Sequence, residues 1–274
     1  MLPFTTTAPL GVIENEDAKA YHASGCIGST ILNDYLASRE GCYMRHVKRD
    51  PEWMRRESPA MELGTLVHLI AECAGDPDRI GARVSVYPPE YMTPSGKAST
   101  SKDAVAWKAA QGSKLVLVDD DYLQGMFLWR RILANPVAAG LLNGCRSEVT
   151  CRVLDPQTGL PVQARLDVLQ PWMICDVKTA GKPLSQFKWS VRDYGLAVQA
   201  ALYRLVHQAV TGAAEPLEFA WIVQCTVYPY ECRVIQPNAV QLAKATAQVD
   251  EALAGIAAGD WGTDQAEPDV MGDE

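Results

Sequence analysis

One stretch constrains the fold of this chain more than any other: Arg165-Leu166-Asp167-Val168-Leu169-Gln170-Pro171-Trp172-Met173-Ile174-Cys175-Asp176-Val177-Lys178. Two apolar runs flank Gln170-Pro171-Trp172-Met173, a four-residue turn in which Pro171 supplies the fixed φ of the second position. Folded there, the hairpin sets Leu169 opposite Ile174 and Asp167 opposite Asp176. Side chains alternate between the faces of a strand, so Lys178 shares the face of Asp176. Like charges directly opposite one another destabilise a strand pair. A divalent cation between two such carboxylates reverses the sign of that term. Spacing alone leaves two explanations open, a surface salt-bridge ladder and a metal site. Because Asp-x-Lys is common, the ladder is the more ordinary of the two.

The surrounding pattern extends the sheet. From Glu148 the chain alternates, with Val149, Cys151 and Val153 facing one way. Asp155-Pro156-Gln157-Thr158-Gly159 then turns it into a strand from Val162 to Leu169, and Met173 to Thr179 follows. If Leu154 lies opposite Pro161, Glu148 falls opposite Asp167 and adds a third carboxylate at the same end. Leu115 to Val118, Leu217 to Val227 and Cys232 to Ile235 read as further strands. Helical spacing marks Ser29 to Leu36, Pro59 to Ala74, Ser101 to Gln111, Phe187 to Val210 and about Val240 to Ala257. Asp119-Asp120-Asp121 opens another helix, where acidic charge in the first turn suits the helix dipole better than a metal. Residues 1–20 are expected to be a loose arm, 21–260 one domain, and 261–274 an acidic flexible tail.

Several residues stand out singly. His68 lies in the apolar helix Met61 to Ile70, with the small Gly64 and Thr65 one turn back; alone it reads first as a core histidine. Arg39, Arg45, His46, Lys48, Arg49, Arg55 and Arg56 form the densest basic segment, which suits either phosphate contacts or a solvated face. Gln199 and Tyr203, four apart, share a helix face. The net charge of −8 argues against broad non-specific nucleic-acid binding while leaving room for a local basic track. The eight cysteines contain no CxxC pair, which argues against a zinc ribbon. Without a signal-like start or a membrane-length apolar run, a cytoplasmic protein with thiol cysteines is expected.

Asp167, then Ile174-Cys175-Asp176-Val177-Lys178, then Gln199-x-x-x-Tyr203 resemble the core motifs of the PD-(D/E)xK nucleases, in their RecB-like branch. Leu63-Gly64-Thr65-Leu66-Val67-His68 is similar to that branch's upstream histidine motif. Within the branch the likeness is to the RecE, or exonuclease VIII, type, running from about Ile27 to Trp261. It includes the Asp155 to Gly159 turn and Asp176-Val177-Lys178-Thr179.

The resemblance implies an α/β, restriction-endonuclease-like fold, a central mixed sheet flanked by helices with helical N-terminal additions. It implies Lys178 as the catalytic lysine, working with Asp176, Asp167 and Glu148, and His68, Asp167 and Asp176 at the metal. Gln199, Tyr203, Ser29 and Arg45 are the expected DNA contacts, Gln199 and Tyr203 alternatively ordering the site from the adjacent helix. The implied activity is 5′-to-3′ degradation of double-stranded DNA ends with Mg²⁺, for which Mn²⁺ can substitute. The resulting 3′ tails would pass to a RecT-like single-strand annealing protein. A homo-oligomeric ring, tetramer favoured, goes with it. No iron–sulfur cluster is expected, since only Cys225 and Cys232 follow the Gln–Tyr helix. Two alternatives stay open: a non-catalytic DNA-end-binding module of the same fold, and a structure-specific endonuclease.

Overall fold

The computed structural model describes residues 4–54 and 59–262. Arg55, Arg56 and the tail beyond residue 262 lie outside the described residues. The strands are β1 (Gly11–Ile13), β2 (Val84–Val86), β3 (Leu115–Leu117), β4 (Arg146–Leu154), β5 (Pro161–Leu169), β6 (Met173–Ala180), β7 (Glu218–Cys225) and β8 (Cys232–Ile235). The early helices are α1 (Ala18–Ala23), α2 (Ser29–Ala37), α3 (Arg39–Cys42), α4 (Pro59–Glu72), α5 (Pro77–Arg83) and α6 (Lys102–Ala110). The later ones are α7 (Asp119–Leu133), α8 (Pro136–Leu142), α9 (Phe187–Asp193), α10 (Leu196–Thr211) and α11 (Ala239–Ala258).

Six strands form one mixed sheet in the order β1-β4-β5-β6-β7-β8. Its one parallel pair is β6 with β7, and the crossover that a parallel pair requires is made by α9 and α10. β2 and β3 pair separately. One face of the large sheet, through Cys151, Ala164, Ile174 and Trp221, packs on Leu32, Val198, Leu202, Val206 and Leu253 of α2, α10 and α11. The other, through Cys175, Val177 and Ile222, packs on Leu66, Ile70, Leu128 and Ile132 of α4 and α7. This is the α/β architecture, a central mixed sheet flanked by helices, that the resemblance implies.

The β5–β6 turn closes as expected, with the Gln170 amide donating to the Met173 carbonyl at 2.9 Å. Leu169 lies opposite Ile174, and Leu154 opposite Pro161. The acidic triplet occupies the first turn of α7, with Val118 as the capping residue.

Three expectations need correction. Residues 1–20 are not a loose arm throughout: β1 pairs with β4, and Glu16 meets the fully buried Arg152. The helix expected over Phe187 to Val210 is two helices. Gly195, at φ +59°, breaks it in the left-handed region that favours glycine. A Cβ there would sit 2.0 Å from Asn33 Oδ1, whose own amide donates to the Tyr194 and Gly195 carbonyls. Trp261, counted with the tail, packs edge-on against Tyr35 at 6.0 Å.

Candidate active site

The hairpin's two acids do not form the ladder pair expected of them. β5 and β6 pair only at Leu169–Ile174 and Val168–Cys175, and then diverge. In the fork, the Asp167 carboxylate takes over from a backbone carbonyl: Oδ2 accepts the Val177 amide at 2.8 Å. The physical reason is the repulsion that facing carboxylates would suffer, relieved when each acid finds its own donor. On the far side of β5, the β4–β5 register runs Ser147–Val168 and then Val149–Leu166. Glu148 is therefore opposite Asp167 by count, as the Leu154–Pro161 register requires, but both residues step out of the ladder. Glu148 has φ +53°, a left-handed conformation that costs a non-glycine residue about 1 kcal/mol or more. Leu166 and Val168, on either side of Asp167, enter cores on opposite faces of the sheet. A strand that keeps strict alternation would send both the same way.

α4 brings in His68. Its Nδ1 lies 3.1 Å from Asp167 Oδ2. The gap left by Gly64 is filled by the chain itself, since a Cβ there would lie 3.3 Å from Thr179 Oγ1. His68, Glu148 and Asp167 each offer a donor atom, and these atoms lie within 4.8 Å of one another. Two carboxylate oxygens and an imidazole nitrogen suit a divalent cation, and the three side chains are only partly exposed, at 30%, 16% and 14%. Asp176, expected at the metal, is not a member of this group of three, in which Glu148 stands instead; it is only 1% exposed and faces Lys178, with Oδ2 2.6 Å from Nζ.

The electrostatics follow from burial and crowding. Burial, then the Asp167 charge, push the Glu148 carboxyl up to about 7. Burial, with Asp167 adding to it against the pull of Lys178, raises Asp176 to about 6. Burial also works against ionised Asp167, but the His68 ring and the Lys178 ammonium outweigh it and hold this acid below its usual range. For Lys178, desolvation disfavours the ammonium, and the Asp176 and Asp167 charges more than compensate. One acid in the site is thus firmly ionised, two hold protons up to near-neutral pH, and the lysine stays charged.

The other expected residues are distributed around this centre. Gln199 Nε2 donates to the Tyr203 hydroxyl at 3.0 Å; Tyr203 is 7% exposed, so it orders Gln199 from inside α10. The Gln199 Oε1 atom is buried without a hydrogen-bond partner among the described residues. Ser29 shares a groove with Lys178 and Gln199. Arg45 is engaged by protein groups, its guanidinium bound to Asp34 at 2.6 Å and to the Trp53 carbonyl at 2.9 Å. A residue not anticipated is Arg165, which pairs with Glu148 and holds it in its strained conformation. It lies two before Asp167 on the same strand, and that spacing is the signal that could have found it.

A family model described as a PDDEXK-like domain of unknown function (DUF3799) matches residues 37–269. The chain belongs to this family. PDDEXK nucleases generally use divalent metals, which agrees with the His68, Glu148 and Asp167 donor set. Among solved structures, a protein from Eubacterium rectale described as a "Putative exonuclease" is similar in fold, with TM-score 0.61 and 16% identity. The likeness covers 90% of this chain and 88% of that one. No curated protein matches the chain. The PDDEXK-like family and the shared fold together support a nuclease with a restriction-endonuclease-like core. None of the described helices is long and apolar enough to cross a membrane.

Proposed function

We propose that this PDDEXK-like domain is a Mg²⁺-dependent exonuclease that degrades duplex DNA from 5′ ends and leaves 3′ single strands. The observation that carries this reading is the convergence of His68, Glu148 and Asp167 beside the Lys178–Asp176 pair, in the fork where β5 leaves β6. His68, Glu148 and Asp167 would hold the cation, with Mn²⁺ able to replace Mg²⁺. When bound, such a cation polarises a phosphate and lowers the pKa of water. The protein's own side chains do the rest. Asp176 fixes Lys178, whose ammonium orients the attacking water and stabilises charge developing on the phosphate oxygens. The Val177 amide fixes Asp167, and Arg165 fixes Glu148. Gln199, ordered by Tyr203, borders the substrate groove.

The polarity is tested with linear duplexes labelled at the 5′ or the 3′ end and blocked at the other, beside a covalently closed circle. Release from free 5′ ends and an intact circle are expected. Degradation only from 3′ ends refutes the polarity, and linearised circles point to an endonuclease. The RecE-type resemblance adds a RecT-like annealing partner for the 3′ tails and a tetrameric ring. Light scattering that gives the mass of a single 29.9 kDa chain on DNA would remove the ring.

Metal binding has its own readout. The cation is expected to raise the melting temperature by several degrees, since a ligand at about 100 times its Kd adds about 2.7 kcal/mol. Glu148 and Asp176 carry protons up to about 7 and 6. Their carboxylates therefore repel Asp167 increasingly as pH rises, and a cation has fewer protons to displace. The Mg²⁺-induced shift should accordingly be larger at pH 8 than at pH 6, and absent in Asp167→Ala. A shift that shrinks with rising pH would contradict the donor set.

A further inference from the structure

Beside Lys178 runs an open groove of about 650 Å³ between α2, α9, α10 and α11. Its charge opposes that of the whole chain. Lys178, Lys188, Arg192 and Lys244 line it, against the acids Asp34 and Asp193. Both acids are engaged: Asp34 by Arg45 at 2.6 Å and His46 at 2.7 Å, Asp193 by Arg192 at 2.8 Å. Among the described residues, Lys188 and Lys244 form no ion pair, and both are exposed. A chain of net charge −8 thus keeps uncompensated cations in a channel that begins at its catalytic lysine. Such a channel concentrates polyanions locally despite the acidic total.

The groove also has exposed aromatic rings at α9. Tyr194 lines it and is 72% exposed. Trp189, 47% exposed, is not itself a lining residue, but its ring lies 4.8 Å from the guanidinium of Arg192 and 5.0 Å from Nζ of Lys188, both of which line the groove. Neither ring is needed for the core. Cations tracking a backbone beside aromatic faces that can stack a base are the combination that holds unpaired nucleic acid. A paired base inside a duplex offers no free face to such rings. The larger groove on the Glu148 side, about 890 Å³, lacks this character. There Arg83, Arg146 and Arg165 are paired with Glu72, Glu14 and Glu148; Lys19, Arg79 and Lys114 line it without an ion pair among the described residues, but its aromatic lining residue, Trp129, is buried and offers no ring to a base.

We propose that the α9–α11 groove binds an unpaired nucleic-acid strand leading to or from the scissile phosphate. The backbone lies along Lys188, Arg192 and Lys244, and a base stacks on Trp189 or Tyr194. The choice of ligand rests on the nuclease reading above. The groove accounts for strand separation at the site, because a single strand fits where the stacking rings give it a partner that the duplex does not need.

The test is fluorescence anisotropy in EDTA, where cleavage is off, with a short labelled oligothymidylate and a blunt duplex of equal length. The wild-type chain is expected to bind the single strand. Lys188→Ala with Lys244→Ala should weaken that binding on the order of 10-fold and lower its salt slope by about 1.4, two single-strand phosphate contacts. Trp189→Ala with Tyr194→Ala should weaken it on the order of 10-fold with the slope kept. Lys102→Ala with Lys108→Ala, on α6, should change neither. Unchanged single-strand affinity and slope in the groove variants overturns the proposal, and so does an equal loss for single strand and duplex in the aromatic variant. Metal-dependent cleavage by the wild-type chain is scored separately. Cleavage with no groove effect leaves the nuclease reading standing and removes the groove; the groove effect without cleavage does the reverse. Unaltered melting temperatures establish that the variants are folded.

Discussion

Lys178→Ala is expected to lower metal-dependent DNA degradation on the order of 10³-fold while leaving the fold and the metal-induced melting shift in place. Lys178 Nζ lies 2.6 Å from Asp176 Oδ2 and its side chain is 22% exposed, so the ammonium is held at the edge of the site and not inside the core. Removing one preorganised positive group aimed at developing phosphate charge costs on the order of 10²–10³ in rate, and loss of the water's orientation adds to this. Asp176→Asn should follow it in activity, because the amide keeps the shape but loses the charge that positions the ammonium. Asp167→Ala differs in a telling way: activity and the metal shift go together, since Asp167 is a member of the group of three donors. The measurement is a steady-state nuclease assay with melting curves in Mg²⁺ and in EDTA for each variant. Full activity in purified, folded Lys178→Ala would sink the assignment of the site.

Much of this site was written into local pattern. The proline in the second turn position fixed where β5 and β6 fold back, and the Asp155 to Gly159 turn fixed the β4–β5 register. If Leu154 faces Pro161, a pairing the structure has, Glu148 falls across from Asp167. What pattern did not reveal is that both residues leave the ladder. That depends on free energies of contact: Arg165 and His68 supply partners that offset a left-handed Glu148 and a broken strand pair. His68 read first as a core histidine for the same reason, since an apolar helix does not reveal that its ring meets Asp167. The break between α9 and α10 was hidden because one glycine in an apolar periodic run is compatible with a helix. Asn33, far away in sequence, decides it by occupying the space above Gly195.

The N-terminal segment is the other place where distance in sequence concealed the answer, and it carries the largest expected effect on stability. Arg152 looks like an outward-facing residue of an alternating strand, yet it is 0% exposed. Its Nη2 donates to both Glu16 oxygens at 3.0 Å, its Nη1 to the Pro9 carbonyl at 3.0 Å, and its Nε and Nη2 to Gln163 Oε1 at 3.3 and 3.0 Å. Every arm of the guanidinium is used, and three of the contacts reach into residues 9–16. Glu16 is the more exposed partner, its side chain 10% accessible. Breaking a buried ion pair from one side leaves the remaining charge unpaired, which costs about 3–5 kcal/mol when that charge cannot reach water. Glu16→Ala strands the guanidinium in the interior, whereas Arg152→Met strands a carboxylate that can turn outward. Glu16→Ala should therefore be the more damaging, lowering the melting temperature by ~10 °C at ~2–4 °C per kcal/mol, with Arg152→Met clearly milder. Limited proteolysis should open the segment around β1 first in Glu16→Ala, because β1 is a three-residue edge strand with little else to hold it. Equal losses in the two variants, or a larger one in Arg152→Met, would show that the stranded guanidinium costs no more than the stranded carboxylate.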